Sequence, residues 1–128
     1  MSPDLKYLLF STILCFVQVL IAATGANQQV GLPKLAGNRE DVPAYTGWAG
    51  RAKRAHLNML ENLVLFAVLL FGARAAGAGG ERLALGAAVF FWARVGYFAS
   101  YLAGIRGLRT LLWAVSIGGL AMILAAAF

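Results

Sequence analysis

The chain has 128 residues, of which 61% are hydrophobic, with a mean hydropathy of +0.75 and a formal net charge of +6. A soluble domain of this size cannot bury so many apolar side chains, which excludes an ordinary water-soluble enzyme and indicates an integral membrane protein. The basic residues lack the interleaved aromatic side chains that are typical of nucleic-acid binding, so we expect no nucleic-acid partner.

Four apolar stretches are long enough to cross a bilayer, because a spanning helix needs about 20 residues. The sequence predicts helices over about 5–25, 55–75, 81–105 and 108–128. The connection over 26–53 contains Gly31, Pro33, Pro43 and Gly47 and is predicted to be a folded loop. The other connections are short, so successive helices are predicted to be antiparallel neighbours. The expected fold is an all-α, integral membrane four-helix bundle that forms a single domain.

The distribution of basic residues predicts the orientation. Most lie in the first and third connections: Lys34, Arg39, Arg51, Lys53, Arg54, Arg106 and Arg109. Because basic residues of short loops stay on the cytoplasmic side, we expect these connections there and both termini on the opposite side. The small amount of chain outside the bilayer favours a bacterial inner membrane over an endoplasmic-reticulum-like membrane.

The composition also bears on thiol and metal chemistry. Cys15 is the only cysteine and His56 is the only histidine. We therefore expect neither an intrachain disulfide nor a metal site, and any thiol chemistry would require an imported thiol.

Polar side chains form one stripe on each of the two middle helices, since positions three or four apart share a helix face. The stripes contain Arg51, Arg54, Asn58 and Glu61 on the second helix, and Arg94, Tyr97 and Tyr101 on the third. Glu61 and Arg94 have similar expected depths, so we predict that they meet. Such a pair would by itself be a structural staple that joins two helices.

The cationic and polar side chains near this pair are more numerous than a single carboxylate can bind. They are Arg51, Arg54, His56, Asn58, Tyr101, Arg106 and Arg109. An excess of cations predicts an anionic guest, and guanidinium groups bind carboxylates through two parallel hydrogen bonds. A small zwitterionic peptide with two carboxylates would engage all of these groups, and glutathione is the abundant intracellular molecule of that description.

The polar motifs of the second and third helices resemble those of the MAPEG family, the membrane-associated proteins in eicosanoid and glutathione metabolism. They read Arg-x-x-Arg-Ala-His-x-Asn-x-x-Glu at 51–61 and Ala-Arg-Val-Gly-Tyr-Phe-Ala-Ser-Tyr at 93–101, followed by Arg106 and Arg109. The resemblance covers nearly the whole chain. It implies a homotrimer of four-helix subunits that binds glutathione between neighbouring subunits near the cytosolic face.

The resemblance also implies roles for individual residues. Contacts with glutathione are implied for Arg54, Asn58, Glu61, Arg94 and Tyr101. Arg109 aligns with the arginine proposed to stabilise the glutathione thiolate, and Thr110 takes the adjacent hydroxyl position. Gln28 or Lys34 lies near where an arginine of a neighbouring subunit is expected to reach the peptide. Leu57 stands where some eicosanoid-producing members have another arginine, and Tyr97 stands where one such member has a histidine. These departures favour a detoxifying glutathione transferase or peroxidase.

The expected mechanism is thiol activation. The Arg109 guanidinium would favour the glutathione thiolate, which would attack a lipophilic electrophile or lipid hydroperoxide arriving laterally from the bilayer. Two other classes stay open. One is a small multidrug-type, proton-coupled transporter that uses Glu61, although Arg54 and Arg94 would repel a cationic drug. The other is a non-catalytic membrane scaffold.

Overall fold

The computed structural model describes residues 1–128 and contains only helices. The helices are α1 (Pro3–Val30), the single turn α2 (Leu32–Leu35), α3 (Gly47–Ala75), α4 (Glu81–Ala103) and α5 (Leu108–Ala126). The four long helices are each long and apolar enough to cross a membrane. The predicted all-α, four-helix membrane architecture is confirmed, and the protein is an integral membrane protein.

Two of the predicted helix ends are wrong where the chain leaves the apolar stretches. α1 continues to Val30 rather than ending near 25, and α3 begins at Gly47 rather than near 55, so the loop predicted over 26–53 is confined to 31–46. At about 1.5 Å per residue, the 28 residues of α1 and the 29 of α3 exceed a hydrocarbon core about 30 Å thick. Hydropathy locates the edge of that core, whereas backbone hydrogen bonding continues beyond it.

Two glycines shape the turn between α4 and α5. Gly104 ends α4 with a φ of 77°, and Gly107 precedes α5 with a φ of 81°. Both values lie in the left-handed region that glycine adopts without steric penalty. α4 therefore ends at Ala103 and not at 105, and the turn brings Arg106 to the end of the bundle.

The centre of the bundle is an apolar core to which all four long helices contribute. The rings of Phe66 on α3 and Phe90 on α4 pack against each other with their centroids 4.4 Å apart and their planes tilted by 40°. α4 and α5 approach closely at Gly86 and Gly119, where a Cβ added to Gly119 would lie 2.8 Å from the Gly86 carbonyl oxygen. Small residues of this kind allow membrane helices to pack with their backbones in contact.

One ion pair joins the helices at the end of the bundle opposite the turn between α4 and α5. The Arg74 Nη1 atom lies 2.7 Å from the Asp4 carboxylate and also donates a hydrogen bond to the Ser2 hydroxyl at 3.1 Å. Asp4 is buried. The pair therefore connects the start of α1 to the end of α3.

Candidate functional site

A polar cavity of about 350 Å³ opens where the turn between α4 and α5 faces the start of α3. Its lining contains four arginines and no acidic residue: Gly47, Arg51, Arg54, Tyr101, Gly104, Ile105, Arg106 and Arg109. Four guanidinium groups around one cavity create a positive potential that favours an anion. The volume falls at the small end of the range of about 300–1,000 Å³ that is usual for ligand pockets. Five of the predicted site residues are thus brought together here.

Tyr101 organises two of these arginines. Its hydroxyl accepts a hydrogen bond from the Nε atom of Arg54 at 2.9 Å, and its ring lies 4.4 Å from the Arg109 guanidinium. Because the three residues belong to α3, α4 and α5, one phenol fixes the relative positions of groups from three helices. Each guanidinium has five N–H donors, so Arg54 keeps donors free for a guest after it bonds Tyr101.

Arg51 closes the cavity against the end of α4. Its Nε atom donates to the Leu102 carbonyl at 3.2 Å. The last carbonyls of a helix have no partner within the helix and carry partial negative charge, which favours a cation at this position. A Cβ at Gly104 would be in ordinary contact with the Arg51 guanidinium, 3.5 Å from its carbon, so the arginine packs directly on the turn.

A smaller cavity of about 130 Å³ lies further along α3 and shares Arg109 with the first. Its lining is Asn58, Tyr97, Arg109, Thr110 and Trp113. Arg94 is fully buried behind it and does not line it. Its Nη2 atom donates to the Asn58 Oδ1 atom at 2.8 Å, and its guanidinium lies 4.1 Å from the Tyr97 ring centre. Arg94 thus holds two residues of the cavity wall.

The predicted pairing of Glu61 with Arg94 is wrong. The only ion pair in the chain is Asp4 with Arg74, and Glu61 is exposed on α3. Asn58 lies one turn before Glu61 on the stripe, and its Oδ1 atom occupies the acceptor position at Arg94. Glu61 and Arg94 can lie at similar depths in the membrane without meeting, because the rotation of α3 about its axis decides which residue of the stripe points toward α4.

Three other predicted site residues lie outside both cavities. Gln28 is exposed near the end of α1, Glu61 is exposed on α3, and His56 is partly buried with no partner for its Nδ1 atom. Their roles in the site stay predictions.

Several polar residues next to the site were not predicted from the sequence. The Asn62 Nδ2 atom donates to the Asn58 carbonyl at 2.8 Å and lies 3.3 Å from the Asn58 Oδ1 atom, which also accepts from Arg94. The spacing of four residues between the two asparagines was the available signal. Ser11 and Gln18 of α1 are fully buried and were also missed.

A family model described as the MAPEG family matches residues 6–128, which include both cavities and all of α3, α4 and α5. Comparison with individual curated proteins gives no match.

Proposed function

The chain belongs to the MAPEG family, and from this premise we propose that it is a membrane-bound glutathione transferase or peroxidase that acts on lipophilic electrophiles. MAPEG proteins use glutathione as a substrate. The observation that carries the proposal is the cavity that four arginines line together with Tyr101 and without an acidic residue. A cationic substrate would be repelled there, which argues against the transporter alternative.

In this proposal the outer cavity binds the carboxylates of glutathione. Arg51 and Arg54 of α3 and Arg106 of the turn supply donors of the fork shape that carboxylates accept. Arg109 lines both cavities, so it lies between the carboxylate-binding arginines and the smaller cavity of Asn58 and Thr110. We assign the smaller cavity to the cysteine part of the peptide, and Arg109 to its sulfur.

The proposed reaction starts from the thiolate, because the thiolate is the nucleophilic form and an unperturbed cysteine thiol has a pKa of about 8.5. The positive charge of Arg109 stabilises the thiolate. In the transferase reaction a sulfur–carbon bond forms and the leaving group departs with its electron pair. In the peroxidase reaction the sulfur takes one peroxide oxygen and releases an alcohol, and a second glutathione converts the sulfenic acid to a disulfide and water.

The proposal includes a homotrimer, because Gln28 and Glu61 lie on the outside of a single chain and would reach a shared site only across a subunit boundary. It also places the cavity at the cytoplasmic face of a bacterial inner membrane, with both termini on the other side. The arginines at one end of the bundle support this orientation.

The test replaces Arg109 with alanine and measures thiolate formation and turnover. Bound thiolate is followed by its ultraviolet absorbance on mixing with glutathione, and turnover by conjugation of a chlorodinitrobenzene. Removal of a group that stabilises developing negative charge typically lowers turnover by about 100-fold. We expect a loss of that size with a smaller change in glutathione affinity.

Arg82→Ala is the matched control, because Arg82 is an exposed arginine near the start of α4 and lines neither cavity. It should behave like the wild type. Turnover that survives in Arg109→Ala would remove Arg109 from the mechanism, and wild-type protein that binds glutathione without any turnover would favour the scaffold alternative.

A further inference from the structure

A column of polar side chains on α1 lies in the core of the bundle, and the proposed reaction does not use it. Ser11 and Gln18 are fully buried. The Ser11 hydroxyl and both polar atoms of the Gln18 amide have no hydrogen-bond partner within the protein. Polar groups buried without partners are unfavourable, and in a membrane helix they usually indicate a functional position.

Arg94 has buried hydrogen-bond donors that lack acceptors. Its Nη2 atom bonds Asn58, but its Nε and Nη1 atoms are buried without a partner. No acidic side chain pairs with this guanidinium. A buried cation of this kind requires additional acceptors around it, because the Coulomb attraction of a counter-ion is missing.

The two sets of groups lie close together. α1 and α4 start at the same end of the bundle and pack against each other, with the ring centroids of Phe10 on α1 and Phe91 on α4 5.8 Å apart. At about 1.5 Å per residue, this contact means that the segment of α1 from Ser11 to Gln18, with Cys15 on its buried face, spans the level of Arg94. Ser11 and Gln18 lie four residues before and three residues after Cys15, so they flank it on the same helix face, each within about 6 Å along the axis. The acceptors of α1 therefore face the region where Arg94 has free donors.

We propose that Gln18, assisted by Ser11, positions the Arg94 guanidinium through bound water molecules. The Gln18 Oε1 and Ser11 Oγ atoms accept hydrogen bonds, and the Arg94 Nε and Nη1 atoms donate them, but no direct bond joins the two sets. A buried water typically makes about three hydrogen bonds, so it accepts from the guanidinium and donates to the amide oxygen.

This inference rests on the proposed function, because Arg94 reaches the site through the residues it holds. Arg94 bonds Asn58 and stacks on Tyr97, and both line the smaller cavity. Gln18 is a positioning residue: it touches neither cavity and acts through Arg94. Its loss should change the cavity wall that receives glutathione and leave the electrophile's access unchanged.

The first test is a double-mutant cycle in thermal unfolding, which requires no ligand. Gln18→Leu, Arg94→Met and the double variant are compared in detergent micelles, with Arg94→Lys used if Arg94→Met does not fold. If water links the two residues, the double variant loses less thermal stability than the sum of the single losses. Additive losses would overturn the inference. Thr12→Val is the control, since Thr12 is exposed on α1 and should combine additively with Arg94→Met.

The second test is calorimetric titration of glutathione into wild type, Gln18→Leu and Thr12→Val. We expect glutathione to bind Gln18→Leu three- to tenfold more weakly, with the KM of the electrophile unchanged and Thr12→Val like the wild type. Equal affinity in Gln18→Leu would overturn the positioning role alone. Wild-type protein that does not bind glutathione would overturn the proposed function, while the unfolding cycle would still decide whether Gln18 and Arg94 are linked.

Discussion

Alanine at Gly119 tests the backbone contact between α4 and α5. A Cβ at this position would lie 2.8 Å from the Gly86 carbonyl oxygen and 2.8 Å from the Phe90 backbone nitrogen. Both are backbone atoms, so the clash is relieved only if the helices move apart. Overpacking of this kind typically destabilises by about 1–3 kcal/mol.

Gly118 supplies a matched control one residue away, because a Cβ there meets no atom within 4 Å. Both substitutions gain the same helix propensity, up to about 1 kcal/mol. The difference between Gly118→Ala and Gly119→Ala therefore isolates the clash, about 1–3 kcal/mol.

The assay is thermal unfolding followed by circular dichroism in detergent micelles. Since 1 kcal/mol corresponds to about 2–8 °C in Tm, Gly119→Ala should melt several degrees below Gly118→Ala. Because α4 carries Tyr101 and α5 carries Arg109, Gly119→Ala should also lower glutathione turnover. Equal melting temperatures for the two variants would refute the backbone contact.

Three further predictions concern single contacts. Tyr101→Phe removes a hydrogen bond to a charged group, which is typically worth about 1.5–3 kcal/mol, and should weaken glutathione binding about tenfold in calorimetry while the fold is kept. Asp4→Asn leaves Arg74 without its ionic partner and should lower Tm, whereas Asp41→Asn on the exposed loop should not. Gln29→Ala removes the two hydrogen bonds, of 2.7 and 2.9 Å, that hold Thr46, and should speed proteolysis within 31–46.

The number and order of the helices could be predicted from sequence because a bilayer leaves a spanning chain few options. Each crossing must satisfy its own backbone hydrogen bonds and present about 20 apolar residues to lipid. The ends of α1 and α3 could not be predicted in the same way. Outside the hydrocarbon core, polar residues such as Arg51 and Lys53 continue a helix without any change that hydropathy detects.

The arginine cavity follows in part from sequence, since helical spacing places Arg51 and Arg54 on one face and the short turn places Arg106 and Arg109 at the same end. The partner of Arg94 could not be predicted, because Asn58 and Glu61 occupy one stripe and only the rotation of α3 about its axis chooses between them. Opposite charge favoured Glu61 as the partner of Arg94, but the Asn58 amide is the group that lies within hydrogen-bond distance.

The burial of the Gln18 amide also could not be predicted from the sequence. A single polar residue in an apolar stretch predicts neither the depth of its burial nor its partner, because both depend on how α1 packs against α4. That the polar atoms of Gln18 and two donors of Arg94 lack hydrogen-bond partners is a property of the packed helices and has no signal in the sequence.

The central claim is that the cavity around Tyr101 binds glutathione through its arginines. Its most direct test is calorimetric titration of glutathione into wild type, Arg54→Ala and the control Arg82→Ala. Loss of a charge-assisted hydrogen bond, typically worth about 1.5–3 kcal/mol, corresponds to at least about tenfold weaker binding. We therefore predict saturable binding to wild type and Arg82→Ala, weakened by at least that factor in Arg54→Ala. Absence of saturable binding to wild type, or equal affinity in all three proteins, would contradict the account.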